Sequence, residues 1–296
     1  MALRKLVRQT ARWLPDGVRI RLRDALGRSR WGMQLMERAF RDSVDVLIVS
    51  FPKAGRTWLR LMLGHLLSAH HEIDAVYDEL LNLRGLASRN PGVPLIRVDH
   101  EDDPHRKSPA DLSTDKTACR GKKVILLFRD IRDILVSLYF ENTRRTGKLT
   151  QQQAFADLAT FVHSEVGSLE TIIRYYNIWA ENSHIPGDFL LIRYEDMHAN
   201  AGRELRKVVE FLELDGIEDE LIARSVEFAR FENMHQMELE GRFGSARMQP
   251  GTRGDPESYK TRKGKVGGYV DYMDEELISH VTEQVRSRLS DFYGFR

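Results

Sequence analysis

This chain of 296 residues has little of what marks several large classes of protein. Its one cysteine, Cys119, excludes an intrachain disulfide, and cysteine-based zinc sites need several thiolates. No run of about 18 uninterrupted apolar residues exists, because Lys53 and Arg56 break the most apolar window, 46–67. The sequence therefore predicts neither a disulfide-stabilised scaffold nor a membrane-spanning helix.

A large excess of either charge is also missing. The chain carries 45 Lys and Arg against 44 Asp and Glu, a formal net charge of +1 at pH 7. Proteins that coat nucleic acid usually have a strong basic excess, so we expect no nucleic-acid partner. The N-terminus has basic residues but no apolar segment followed by a small-residue cleavage site, which disfavours a secretory signal. A reducing cytoplasm is the simplest expected location.

Residues 1–42 nevertheless form a basic arm. They hold eleven basic and four acidic side chains, an excess of seven positive charges. One helical face of this arm would hold Leu3, Leu6, Val7 and Trp13. Two interpretations stay open: a solvated helix packed on the body of the protein, or contact with anionic lipid or a polyanionic acceptor. We expect the main domain to span residues 43–296.

Strand-like and helix-like segments alternate through that domain. Apolar runs rich in β-branched residues predict strands at 44–49, 95–98, 123–128 and 189–193. Helices are predicted at 57–67, 131–139, from a Thr150 cap to about 181 with a break near Gly167, at 201–213 and 218–230, and from Asp274 onward. This alternation predicts one α/β domain in which helices flank a central parallel sheet.

The loop after the first predicted strand is suited to binding phosphate. It reads Ser50-Phe51-Pro52-Lys53-Ala54-Gly55-Arg56-Thr57-Trp58. A tight strand–loop–helix turn leaves free backbone N–H groups at the helix N-terminus, where the helix dipole also favours an anion. Gly55 lets the backbone approach the anion, Lys53 supplies a positive charge and Thr57 supplies a hydroxyl. The alternative is an ordinary strand–helix turn with a surface lysine.

This loop is not that of a nucleotide kinase. Kinases and NTPases of the P-loop type read Gly-x-x-x-x-Gly-Lys-Ser/Thr, and the hydroxyl after the lysine coordinates Mg²⁺. Here Lys53 precedes Gly55, and neither Lys-Ser nor Lys-Thr follows that glycine. A P-loop kinase is therefore the less favoured alternative.

Two later segments carry further groups that can bind anions. Arg129 follows the predicted strand 123–128, and Ser137 lies eight residues later, so a guanidinium and a hydroxyl can reach one phosphate. Arg262-Lys263-Gly264 lies in a segment rich in Gly, Arg and Lys and can close over a phosphate. Taken singly, each has an ordinary alternative: a surface arginine with a helical serine, or a solvated basic loop.

The first loop resembles the 5′-phosphosulfate loop of the sulfotransferases that use 3′-phosphoadenosine 5′-phosphosulfate (PAPS). That loop commonly reads Pro-Lys-Ser-Gly-Thr-Thr-Trp, and this chain matches it from Pro52 to Trp58 with Ala54 and Arg56 as departures. Ala54 lacks the hydroxyl of the serine but keeps its N–H. Arg56 adds a charge where the family often has a hydroxyl.

The later segments resemble the family's 3′-phosphate site. Arg129, Asp133 and Ser137 match its Arg-x-x-x-Asp-x-x-x-Ser motif. Residues 262–267 resemble its Arg-Lys-Gly-x-x-Gly segment, whose first three residues bind the 3′-phosphate. The resemblance covers about residues 44–290.

The resemblance also implies an adenine site and a donor. Tyr194 follows a predicted strand as the tyrosine of the family's Tyr-Glu-Asp does, and Phe231 falls where a family phenylalanine packs on adenine. Trp58 would contact the base from the other side. The implied co-substrate is PAPS, the implied product is 3′,5′-ADP (PAP), and no metal is expected.

A catalytic base is implied as well. Residues 95–100 resemble a family segment that ends in Lys-Thr-His, whose histidine takes the proton of the acceptor, so His100 is the candidate base. His105 is the rival, and the acidic segment 100–105 also permits a less favoured metal-site interpretation. The resemblance implies that Lys53 neutralises the charge that develops on the leaving phosphate. It also implies that Ser137 can restrain that lysine until the acceptor arrives.

These observations predict a sulfotransferase that moves the sulfuryl group of PAPS to a hydroxyl or amine, with a non-catalytic nucleotide-binding protein on the same fold as the alternative. The acceptor is a small molecule, a lipid or a glycan, and its pocket is expected in loops 76–118, 142–165 and 240–260. The last loop contains Arg242, Arg247 and Arg253, which could meet an anionic substrate. The oligomeric state stays open, since the family's dimer segment is not found after Tyr269.

Overall fold

The computed structural model describes residues 44–145, 155–244 and 248–295. From Val46 onward, the described residues form one compact α/β unit. Three predicted features lie outside the described residues: the basic arm 1–42, the Thr150 helix cap and the contact of Arg247 with an anionic substrate. All three stay predictions.

A parallel sheet lies at the centre of this unit. Its strands are β1 (Val46–Ser50), β2 (Ile96–Asp99), β3 (Lys123–Phe128) and β4 (Asp188–Arg193), in the order β2-β1-β3-β4. All neighbouring strands are parallel, and Val46 lies opposite both Ile96 and Lys123. The carboxyl ends of all four strands therefore meet at one edge, where ligands of open α/β sheets usually bind.

Helices connect these strands and follow the last of them. Those described are α1 (Arg56–His70), α2 (Leu83–Arg89), α3 (Ile131–Phe140), α4 (Leu158–Val162), α5 (Leu169–Glu181), α6 (Tyr194–Ala199), α7 (Ala201–Phe211), α8 (Asp219–Phe228), α9 (Phe231–Leu239) and α10 (Glu275–Arg288). Helix α3 continues as a π-helical turn, Glu141–Arg145. In the described ranges, no helix is both long and apolar enough to span a membrane.

The core explains why the apolar runs fold as they do. All residues of β1 and all but the first of β3 are buried, as the runs of Val, Ile and Leu predict. Helix α1 is buried on most sides, and Gly64 lets it approach the chain closely, because a Cβ there would lie 1.9 Å from the Leu80 carbonyl oxygen. Cys119 is buried, which raises the pKa of its thiol to about 11.

Candidate active site

A cavity of about 1160 Å³ lies at the carboxyl edge of the sheet. It is lined by residues that directly follow each of the four strands, as the parallel topology predicts. The predicted site residues that line it are Lys53, Gly55, Arg56, Thr57, Trp58, His100, Arg129, Ser137, Tyr194, Phe231, Arg262, Lys263 and Gly264. Ala54 is fully buried and is not part of the lining.

The loop between β1 and α1 has the backbone of an anion cradle. Gly55 caps α1 in the left-handed conformation with φ of 91°, and no side chain caps the first turn. The N-terminus of a helix favours a bound anion, because its backbone N–H groups and its dipole both point toward that end. A Cβ on Gly55 would lie 2.6 Å from Cδ2 of Tyr194. The loop therefore needs glycine both for the left-handed backbone and for the close packing against Tyr194. Lys53 also has a positive φ, 73°, a strained conformation of the kind found at functional sites.

The side chain of Lys53 is held by a carboxylate that the sequence reading missed. Its Nζ donates to Oε2 of Glu141 at 2.7 Å, and both side chains are largely buried. Arg145 binds the other oxygen of Glu141, and Nζ of Lys260 lies 3.7 Å from Oε2. One carboxylate thus faces three cations, while Ser137, the predicted restraint on Lys53, lines the same cavity.

Burial and neighbouring charges shift the pKa values of Lys53, Lys260 and Glu141. Burial lowers the pKa of Lys53, although Glu141 beside it acts in the other direction. Burial and the neighbouring Lys53 lower the pKa of Lys260 to about 7. Burial alone would raise the pKa of Glu141, but Lys53, Lys260 and Arg145 together hold it below its ordinary value. The cluster therefore has excess positive charge and favours a bound anion.

His100 follows β2 and is fixed through both ring nitrogens. Nδ1 lies 3.0 Å from the carbonyl oxygen of Ser50, and Nε2 lies 2.7 Å from Nη2 of Arg56. A carbonyl only accepts and a guanidinium only donates, so Nδ1 carries the hydrogen and Nε2 holds a lone pair. Burial, and then the charge of Arg56, lower the pKa of His100 well below its ordinary value. The ring is therefore neutral, and Nε2 carries the lone pair with which a general base accepts a proton.

A strained turn holds His100 at the end of β2. Glu101, Asp102 and Asp103 all have positive φ, at 48°, 69° and 48°. Glu101 binds the buried Lys116 at 2.8 Å, and Asp102 accepts from the backbone N–H of Ser113 at 2.7 Å. The side chains of Glu101 and Asp102 therefore have structural partners within the protein. Among the described residues, no group of three or more His, Cys, Asp or Glu could hold a metal ion.

Arg129 joins the two predicted phosphate sites. Its guanidinium donates to the carbonyls of Lys53 and Lys265, each at 3.1 Å, and lies 3.5 Å from Asp133. It also stacks on Tyr194, at 4.1 Å from the ring centroid. Its buried Nε has no hydrogen-bond partner among the described residues. Arg129 therefore connects the loop after β1 with residues 260–269, called the basic loop below. Its Nε is a buried donor that a ligand could use.

Two buried carboxylates clamp the basic loop at its ends. Glu238 accepts hydrogen bonds from the backbone N–H groups of Lys260 and Thr261, at 2.7 and 2.9 Å. Asp133 accepts from those of Gly267 and Tyr269, at 2.9 and 3.0 Å. Both carboxylates are at most 3% exposed. A buried carboxylate that accepts two N–H donors fixes the backbone strongly, so the loop is set in place before a ligand binds.

The cations between these clamps face the cavity along one side. Arg262 donates to Glu257 at 2.9 Å and to the hydroxyl of Tyr272 at 2.6 Å, and Lys263 donates to Asp271 at 3.0 Å. Both side chains also contact the face of the Tyr272 ring. These contacts hold both cations at the wall of the cavity.

An aromatic wall lies beside that loop. Phe231 begins α9 and stacks with His235, their rings 5.8 Å apart and 5° from parallel. Trp58 and Tyr194 meet edge to face at 5.9 Å. Gly264 packs on the Phe231 ring so closely that a Cβ would lie 2.3 Å from Cδ2. The three aromatic residues predicted for an adenine site thus line one cavity.

The remaining walls of the cavity are more apolar. They are formed by His105, Arg106, Leu138, Asn142, Phe155, Phe161, Val166 and Met234. The predicted loops 76–118 and 142–165 contribute here, whereas loop 240–260 contributes Lys260. Arg242 and Arg253 do not line the cavity, since they bind the Tyr77 hydroxyl and the Leu239 carbonyl instead.

A sequence signal existed for some of the residues that were missed. Glu141 lies four residues after Ser137, at the start of the π-helical turn that continues α3, and residues four apart in a helix are neighbours. Lys260 stands two residues before Arg262 in the same basic segment. Glu238 gave no signal, because its partners are 22 and 23 residues away along the chain.

Comparison with known families decides the class of this protein. The model of the sulfotransferase domain matches residues 43–293. The chain belongs to the sulfotransferase family. This confirms the family that the sequence predicted, and the parallel sheet flanked by helices confirms the fold class.

Named sulfotransferases are similar over most of their length. Cytosolic sulfotransferase 16 of Arabidopsis thaliana is 24% identical over 270 residues, which cover 83% of this chain and 76% of that protein. Flavonol 3-sulfotransferase of Flaveria bidentis is 23% identical over 279 residues, covering 87% of this chain and 86% of that one. The chain is therefore a sulfotransferase enzyme by family, although these relatives are distant in sequence.

Solved sulfotransferase structures share the fold. Retinol dehydratase in a complex with retinol and PAP has a TM-score of 0.56 at 18% identity, covering 83% of this chain and 81% of that one. A mouse sulfotransferase complexed with PAP has a TM-score of 0.55 at 18% identity, covering 83% and 84%.

Proposed function

We propose that this sulfotransferase moves the sulfuryl group of PAPS to a hydroxyl or amine, with His100 as base and Lys53 at the leaving phosphate. One observation carries the proposal: a lysine and a histidine that follow neighbouring strands line one cavity together with cations from three segments. A non-catalytic nucleotide-binding protein would have no need of a histidine whose two ring nitrogens are oriented in this way.

The cavity has donors suited to both ends of PAPS. The N-terminus of α1, which begins at the left-handed Gly55, suits the 5′-phosphosulfate. Arg129, with its unpartnered buried Nε, would hold the 3′-phosphate with Ser137, Arg262 and Lys263. Phe231 and Trp58 would hold the adenine between them. Two of the solved structures that share the fold are complexes with PAP, which supports this donor.

The residues then divide the work of the transfer. His100 accepts the proton of the acceptor at Nε2, while a bond forms between the acceptor oxygen or nitrogen and the sulfur. The bond between the sulfur and the bridging oxygen breaks, and its electron pair stays on the phosphate of PAP. Lys53 neutralises the charge that grows on that oxygen. Every proton and electron pair is accounted for without a metal or a redox partner.

We also propose the location of the enzyme and the class of its acceptor. Relatives named as cytosolic sulfotransferases support a cytoplasmic location. The acceptor is a small molecule, a lipid or a glycan, and the apolar wall with Phe155 and Phe161 favours one with an apolar part. The basic arm 1–42 stays a candidate for contact with anionic lipid. The domain boundary near residue 43 is likewise a proposal.

A labelled-donor assay tests the proposal. Transfer of ³⁵S-sulfate from PAPS to a panel of phenols, alcohols, amines and glycans is expected, and ATP labelled at its γ-phosphate should label none of them. The non-catalytic alternative predicts PAP binding without transfer to any member of the panel. A kinase would label the acceptors from ATP.

Gly264→Ala should weaken the binding of PAP. The φ of Gly264 is 58°, and the added Cβ would collide with the Phe231 ring, so the adenine wall must shift. We expect a loss of about tenfold or more in affinity, which corresponds to roughly 1.4 kcal/mol. Gly267→Ala is the matched control, since its φ is 71° but its Cβ meets nothing within 4 Å. Equal losses in both variants would show that backbone strain, not the aromatic contact, matters.

Glu141→Gln should change the pH dependence of transfer. Glu141 acts to raise the pKa of both Lys53 and Lys260, so its neutralisation lowers both pKa values and the lysines lose their protons at lower pH. We expect the alkaline limb of the rate profile to move to lower pH, measured from the transfer rate at saturating PAPS. Glu240→Gln, at a position outside the cavity lining, should leave the limb in place. An unmoved limb in Glu141→Gln would contradict the role of this carboxylate.

A further inference from the structure

Arg56 occupies a position that the proposed function does not yet explain. It is the first residue of α1, so its backbone belongs to the anion cradle that begins at Gly55. Its guanidinium reaches across to β2 and bonds to the ring of His100, which lies 44 residues away along the chain. Arg56 therefore connects the loop that would hold the donor with the group that would activate the acceptor.

The contact between Arg56 and His100 covers the atom that catalysis needs. Nε2 holds the lone pair of the ring, and Nη2 of Arg56 lies 2.7 Å from it, the distance of a full hydrogen bond. Nδ1 cannot replace Nε2 as the base, since it donates to the Ser50 carbonyl. An acceptor hydroxyl can reach the lone pair only when Arg56 releases it.

The charges around His100 indicate what would draw Arg56 away. Arg56, Lys260 and His105 face His100, and all three lower its pKa, after the larger effect of burial. The nearby Glu141 is already bound by Lys53 and Arg145. Arg56 binds an oxyanion more strongly than it binds the neutral imidazole of His100, because only the oxyanion adds the attraction of an opposite charge.

We propose that Arg56 is a further catalytic residue, which binds the non-bridging oxygens of the sulfuryl group and thereby uncovers Nε2 of His100. This inference rests on the proposed function. The sulfuryl group must lie between the leaving oxygen near Lys53 and the acceptor near His100, and Arg56 reaches this region from the donor loop. The base is thus covered while no donor is bound, and donor binding prepares it for the acceptor. The arginine fork suits two sulfuryl oxygens at once.

Separate titrations with PAPS and PAP test this inference, because only PAPS has the sulfuryl group. We expect Arg56→Thr to lose about 10- to 100-fold in affinity for PAPS, the size of one or two charge-assisted hydrogen bonds. Its affinity for PAP should change by less than about threefold. Arg253→Met is the control, since Arg253 does not line the cavity, and its two affinities should match the wild type. Arg56→Lys keeps the positive charge but loses the forked guanidinium. Its affinity for PAPS should lie between those of the wild type and Arg56→Thr.

The imidazole signals of His100 give a second readout that needs no turnover. In the wild-type protein, PAPS should shift the Nε2 signal of His100 by NMR and PAP should not. In donor-free Arg56→Thr, the pKa of His100 should rise, because a positive charge beside the ring has been removed. The signal is assigned among the ten histidines with His100→Gln. Unchanged melting temperatures confirm that the variants are folded.

Other results would overturn the inference. Equal losses of PAPS and PAP affinity in Arg56→Thr would place Arg56 on the 5′-phosphate. Unchanged affinity for both, with a lost preference for 6-hydroxy-2-naphthoate over 2-naphthol, would place it on an anionic acceptor. A wild-type protein that binds neither PAPS nor PAP would contradict the proposed function itself, a pattern distinct from the other two.

Discussion

Replacement of His100 by alanine is expected to remove most sulfuryl transfer while leaving PAP bound. The ring is neutral, its hydrogen is fixed on Nδ1 by the Ser50 carbonyl, and its Nε2 is the proposed proton acceptor. Loss of a positioned general base typically lowers a rate by about 10²- to 10⁴-fold. His100 has no place in the phosphate or adenine contacts, so the affinity for PAP should stay within about threefold of the wild type.

Single-turnover rates and PAP titrations of the same preparations measure the two effects. His105→Ala is the matched control, because His105 lines the cavity with its ring 5.7 Å from that of His100. The buried Nδ1 of His105 has no hydrogen-bond partner in the described part of the chain, so nothing sets its tautomer as Ser50 does for His100. A normal rate in His100→Ala with a large loss in His105→Ala would transfer the role of base to His105.

Lys53→Met is expected to lower the transfer rate by about 10²- to 10³-fold, the usual effect of removing one group that stabilises developing charge. Its Nζ is held by Glu141 at 2.7 Å, in the loop that would carry the phosphosulfate. Burial lowers the pKa of Lys53, and an added negative charge on the leaving oxygen would counter that effect. The lysine is thus placed to interact more strongly with the transition state than with the bound donor.

Separate measurements of kcat and of KM for PAPS distinguish this role from simple binding. We expect kcat to fall far more than the affinity for PAP, which should fall moderately at most. Lys260→Met is the matched control, since it removes a second lysine near Glu141 from the same cavity and should cost less in kcat. A large rise in KM with an unchanged kcat in Lys53→Met would make Lys53 a binding residue only.

Much of the fold and of the site was accessible from the sequence. The strand β3 was predicted with its observed bounds, because a buried parallel strand is apolar on both faces and has an unbroken apolar run. Arg129 was selected by the rule that ligands lie beyond the carboxyl ends of such strands. His100 and Tyr194 were selected through the resemblance to the sulfotransferase family, and both also follow a predicted strand.

Other features could not be predicted for physical reasons. The helix α2 and the short α6 have seven and six residues, too few for a clear periodic pattern. Glu141 and Lys53 stand 88 residues apart, and only the folded chain brings them together. The same holds for Arg56 and His100. Charge pairs across the cavity depend on tertiary packing, which has no local signature in the sequence.

The division of the cavity walls has a consequence for redesign. Groups suited to the donor follow the strands, and Asp133 and Glu238 lock the basic loop, so donor affinity should be intolerant of change. The apolar wall with Phe155, Phe161 and Val166 lies instead before α5, outside those clamps. A library randomised at these three positions should therefore change the range of acceptors without loss of PAP affinity. In evolutionary terms, such a protein can acquire new substrates while its chemistry is inherited intact.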